Sequence, residues 1–191
     1  MYLRHPFEWL TPSGQIRAFI FFFILSLLVM VSLQVTGAHL ITKVSPAGIL
    51  SFEFAGNLSA AQNMVTSWGP TGRVYAGLNL GLDYLFLLVY ACAIGLGCVL
   101  VARSNSPKTT FLANLGILLA WAQFGAALLD GVENYALIRV LFGTEMAVWP
   151  VVARWCALPK FAIVGAGLIY VMIGTVVVVV LKFKRRDEYP A

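Results

Sequence analysis

Four long apolar runs constrain this chain more than any other feature. They cover residues 16–35, 74–102, 109–130 and 160–181, and their only charged residues are Arg17, Asp83, Asp130 and Lys160. A helix needs ~20 such residues to cross ~30 Å of hydrocarbon. In lipid every backbone polar group must be paired within the protein, which leaves helices or closed barrels. A barrel would need strands alternating apolar and polar residues, and none of these runs alternates. The expected fold is therefore all-α, an integral membrane four-helix bundle. Composition agrees: 60% of residues are hydrophobic and 11% charged, against roughly 45–50% and about 25% in a soluble domain. So few charges exclude an ordinary soluble domain, a disordered chain and a nucleic-acid binder. Residues 1–191 are read as a single transmembrane domain.

Arg4 and Arg17 ahead of an apolar run also fit a secretory signal. The long region before the run and the lack of a small-x-small cleavage site favour a retained span. The net charge of +5 is concentrated in three places: the N-terminus, the link from Arg103 to Lys108, and Lys182, Lys184, Arg185 and Arg186. Four spans put all three on one side, so both termini are expected in the cytoplasm. The opposite side then holds residues 36–73 and a helical extension over 131–159. Asn57-Leu58-Ser59 there is a formal glycosylation sequon, a motif common by chance.

The first of these outer segments is too apolar for a bare loop. Asn57 suits an N-cap, Leu58, Ala61, Val65 and Trp68 recur at helical spacing, and Gly69-Pro70 ends the run. This predicts a short amphipathic helix in the first outer loop, lying at the outer interface or capping the bundle. Glu53 would be carried by that cap. The third run continues without a breaker to Gly143. Pro150 suits the start of a helix, and Pro159 is expected to kink the fourth.

Polar residues gather near the outer ends of the spans. Asp130, Glu133 and Asn134 stand at i, i+3 and i+4, and Gln123 lies on the same face. On the second span Asn79, Asp83 and Tyr90 share a face, and Lys160 opens the fourth. Gly116, Ala120 and Ala127 keep the third span narrow around its polar residues. Charged groups within spans usually face the interior and pair. The ligand-binding candidates are thus Glu53, Asn79, Asp83, Tyr90, Gln123, Asp130, Glu133, Asn134 and Lys160, and the catalytic candidates are Asp83, Asp130, Glu133 and Lys160. Lys160 is expected to pair with Asp83 or Asp130. The bland alternative is interfacial solvation, with Lys160 snorkelling.

No cofactor and no metal is expected. His5 and His39 fall on opposite sides, and no Glu-x-x-His or His-x-x-x-His pair exists. Cys92, Cys98 and Cys156 form no Cys-x-x-Cys, which argues against a thiol-disulfide site like that of the vitamin K epoxide reductase family. Trp9, Trp68, Trp149 and Trp155 suit interfacial belts. Gly77-x-x-x-Gly81 is a weak motif for close helix contact.

Ser51-Phe52-Glu53-Phe54-Ala55, Leu82-Asp83-Tyr84-Leu85-Phe86, Asp130-Gly131-Val132-Glu133-Asn134 and Lys160-Phe161 together resemble a group of small four-span bacterial membrane proteins. The resemblance covers about residues 45–180. It implies four spans in a bacterial plasma membrane and brings no catalytic residues with it. Sterol-isomerase-like and sigma-2-receptor-like membrane proteins also keep acidic groups in a small four-helix bundle, an analogy of fold only. The expected function is non-enzymatic. The chain would bind a lipid or small amphipathic ligand in the outer half of the bundle, or serve as an accessory subunit of a membrane complex. The expected partners are membrane lipids, other membrane subunits or a second copy, and no nucleic acid. The alternatives are a membrane-embedded enzyme built on the carboxylates and Lys160, and, ranked last, a small transporter.

Overall fold

The computed structural model describes residues 4–105 and 110–188, with side chains over 4–104 and 111–180. Lys108 and the basic side chains from Lys182 to Arg186 lie outside the described residues. Five α-helices follow in order: α1 Pro12–Gly37, α2 Ile49–Glu53, α3 Leu58–Asn105, α4 Thr110–Leu141 and α5 Val148–Glu188, with a 3-10 turn Ala38–Leu40 after α1. Four of them are long and apolar enough to cross a membrane. They pack against one another as an all-α four-helix bundle, with no strand among the described residues.

α3 is the central helix. It packs on α1, α4 and α5, and α4 packs in turn on α5. In its most apolar window 67% of residues are buried, against 6% for α1 and for α5. The outer faces of α1 and α5 leave Phe21, Leu28, Val31, Met172 and Val176 exposed. Apolar surface that continuous demands lipid or a partner around it.

α3 begins where Asn57 caps it, with Oδ1 accepting from the Ala60 amide at 2.8 Å. The sequence reading ends this helix at Gly69-Pro70 and opens a new one later. In the structure the two segments meet directly: Gly69 alone is non-helical, at φ 64° and ψ −171°, and Pro70 starts the next turn. Proline tolerates that place because a first-turn N–H has no helical partner. α4 stops at Leu141, followed by Gly143 at φ 83°. Pro159 lies inside a continuous α5, where it leaves the Trp155 carbonyl without its helical donor.

The segment between α1 and α3 packs down on the bundle rather than floating free. Phe52 is fully buried against Trp68, their rings 5.1 Å apart. Trp68 Nε1 donates to the Leu40 carbonyl at 2.8 Å and to Ser45 Oγ at 2.9 Å. Leu40, Phe52, Val65 and Trp68 form one core with Leu80, Leu137 and Val140. This end is called the capped end below.

The opposite end has an organisation that the sequence reading did not anticipate. Residues 4–11 fold back over the helix ends, burying Phe7 against Leu96 and Ala120. Gln15 Nε2 donates to the carbonyls of Phe7 and Leu10, and Arg103 Nη1 donates to Gln15 Oε1 at 2.6 Å. The Gly77-x-x-x-Gly81 pair is not used for helix packing within the chain: Gly81 has open space where a Cβ would stand, and at Gly77 only Leu141 comes near, at 3.9 Å.

Candidate functional site

Four elements converge at the capped end. On α4, Asp130, Glu133 and Asn134 share one face, and all three are buried. α5 supplies Lys160, only 5% exposed, and α2 supplies Glu53. Lys160 Nζ donates to Asp130 Oδ1 at 3.0 Å and pairs with Glu133 Oε2 at 2.8 Å. Glu53 Oε2 is 3.9 Å from the same nitrogen. Interfacial solvation therefore does not describe Lys160 or Asp130; they are enclosed and paired.

Of the two carboxylates expected for Lys160, Asp130 takes it and Asp83 finds another partner. Asn134 Nδ2 donates to Asp83 Oδ2 at 2.7 Å, whereas Lys160 holds the α4 carboxylates. Lys160 is already committed to Asp130 and Glu133, so the amide of Asn134, one residue further on α4, serves Asp83. The Glu53 carboxyl is held above its ordinary value by burial, opposed by the ammonium of Lys160 and aided by the charge of Asp130.

The other candidate residues divide between structural ties and a cavity wall. Asn79 Nδ2 donates to the Leu33 carbonyl at 2.8 Å and to Thr36 Oγ1 at 2.7 Å, pinning the end of α1 to α3. Gln123 Nε2 donates to the Ile163 carbonyl at 3.2 Å and braces α4 on α5. A Cβ at Gly167 would stand 2.5 Å from that nitrogen, so the brace needs glycine opposite it. Tyr90 is buried, stacks edge-on against Phe86, and its Oη lies beside the Asp130 carboxylate without a well-aligned hydrogen bond.

A cavity of about 620 Å³ lies between α1 and α5, with α3 as its floor. Ligand pockets typically measure ~300–1,000 Å³. Its polar end is formed by Glu53, Asn79, Asp83, Asp130, Asn134 and Lys160. Gln34 of α1 also lines the groove, Tyr90 stands below Asp83, and the remainder is apolar down to Phe19 and Val171 except for Ser26. Along α1 the lining extends from Phe19 to Gly37, a rise of about 27 Å at ~1.5 Å per residue. Wall residues Leu27, Met30 and Leu168 are each more than 40% exposed, so this is a groove open sideways between α1 and α5. Glu133 and Gln123 lie outside its lining.

Sequence reasoning missed the α1 wall and the floor residue Ala93. Their only signal is apolarity, which lipid-facing and groove-facing residues share. Among the described residues no group of three or more His, Cys, Asp or Glu is set to hold a metal ion. Cys92, Cys98 and Cys156 are free thiols.

No family model, curated protein or solved structure matches the chain. What the capped end can do must be argued from its own geometry.

Proposed function

We propose that this membrane protein holds a lipid or lipid-like amphipathic molecule in the groove between α1 and α5. The observation that carries the reading is the groove's composition: a polar end of charged and amide side chains continues into a largely apolar trough that runs about 16 Å along α3 from Asp83 to Ile94. An amphiphile matches both parts at once. The capped end faces away from the cytoplasm in this reading, since the basic segments then lie inside. From Asp83 to Arg103, α3 rises about 30 Å, one hydrocarbon thickness, which puts the polar end at the far membrane boundary. All the buried charged residues described gather at that end, an arrangement that suits holding a head group better than passing an ion across.

The enzyme reading rests on one further observation. Asp83 is the only carboxyl of the cluster that is both half-buried and on the groove wall, and it would serve there as the acid or base.

Native mass spectrometry of the protein released from lipid nanodiscs tests the binding reading. The expected result is a small amphiphile retained by the wild-type protein and lost from Ala93→Phe, which fills the groove floor. A wild-type protein that retains no amphiphile and takes none up overturns the proposal. Retention of a protein subunit instead would favour an accessory role.

A further inference from the structure

We propose that the groove selects a single-chain amphiphile with a protonated amine head group. This deepens the binding reading above and rests on it. The first ground is which polar atoms remain free. Among the described residues Lys160 is the one cation lining the polar end, and its ammonium is taken by Asp130 and Glu133. It has no unshared charge for a phosphate or a carboxylate. What faces the groove is acceptor-rich: Glu53 and Asp83 stand on the wall, and Glu53 Oε2 comes no nearer than 3.9 Å to the Lys160 ammonium.

The second ground is a hydroxyl at the edge of the acidic cluster. Tyr90 lines the groove two turns below Asp83, is only 6% exposed, and its hydroxyl, close to Asp130, makes no well-aligned hydrogen bond. A buried hydroxyl left unpaired is costly. A ligand with several N–H donors, seated between Asp83, Glu53 and Tyr90, satisfies all three. An ammonium does so with charge as well, in surroundings where carboxyls outnumber the single lysine. A phosphate head, itself an acceptor, would meet the carboxyl oxygens of Glu53 and Asp83 with no free cation beside them. The tail then follows the trough toward Ile94 and Val171, and the open side between α1 and α5 admits one chain from the bilayer.

The test uses four probes with the same twelve-carbon tail: dodecylamine, dodecanol, dodecanoate and dodecyltrimethylammonium. Each is titrated into the full-length protein in phosphatidylcholine nanodiscs, with empty nanodiscs as the partition control. Binding is read by native mass spectrometry and by the rise in Tm. Hydrogen bonds to a charged group support at least a tenfold advantage for dodecylamine over dodecanol. Dodecyltrimethylammonium keeps the charge without N–H donors and should fall between them, with dodecanoate weakest. Asp83→Asn should lower dodecylamine affinity about tenfold and abolish its advantage over dodecanol. Tyr90→Phe should lower it several-fold, and serves if Asp83→Asn does not fold. Equal binding of amine and alcohol, or a preference for dodecanoate, overturns the amine proposal and leaves the groove reading standing. No binding of any probe, with Ala93→Phe indistinguishable from wild type, overturns both.

Discussion

Lys160 is the residue on which the capped end turns. It is buried, and it joins α5 to two carboxylates of α4 at 2.8 and 3.0 Å. Removing one partner of a buried pair strands the others, at a cost of ~3–5 kcal/mol. Lys160→Met should therefore lose stability on that scale when unfolding is followed in detergent, and adding Glu133→Gln should restore part of the loss. A loss below ~1 kcal/mol would mean that the charges are solvated as a surface pair is. Glu53 makes a second, pH-dependent prediction. Burial raises its carboxyl above the ordinary 4.5, with Lys160 pulling the other way. A carboxyl harder to ionise in the folded state favours the fold at low pH. That contribution disappears as pH rises from 4.5 through the folded-state value. Glu53→Gln cannot ionise, so its Tm should gain on wild type as pH rises through this window. A constant Tm difference across the window would contradict the burial of Glu53.

At the scale of elements, the join inside α3 is the most exacting piece of backbone. Gly69 holds φ 64° and ψ −171°, a region essentially closed to residues with a Cβ. No atom stands within 4 Å of where a Cβ would be, so the penalty of Gly69→Ala is conformational alone, ~1–3 kcal/mol. Chemical unfolding in detergent should show that loss, and an unchanged midpoint would refute the tight join. The two halves of α3 also mark what could be read from residues alone. Asn57, the helical spacing to Trp68 and the Gly-Pro break were legible because capping and periodicity are local. So was the shared face of Asp130, Glu133 and Asn134, since helical spacing settles it. Which of them Lys160 would take, and that Asp83 would go to Asn134, depended on distances between helices that no single run encodes. Gln123 shows the same limit: its face was legible, but the neighbour it meets, the Ile163 carbonyl, was not. The N-terminal fold-back was missed because Phe7 and Gln15 carry no periodic signal over so short a stretch.

For the molecule as a whole, orientation is the property most open to test. If the basic segments lie in the cytoplasm, a thiol placed at Ser59 should react from outside intact cells with a membrane-impermeant reagent, and one at Ser104 should not. Both native residues are exposed, so accessibility within the fold does not limit either reaction, and the three native cysteines are removed first. Labelling at Ser104 from outside would invert the model. The sideways opening between α1 and α5 has a separate consequence. With Leu27, Met30 and Leu168 lining an open flank, an occupant arrives along the plane of the bilayer and competes with the lipids around it. Occupancy is then governed by a mole fraction in two dimensions, whatever the dose in the surrounding water. Fusing ligand-free lipid into the same vesicles should empty the groove by surface dilution, while diluting the whole suspension with buffer should leave a strongly partitioning occupant in place.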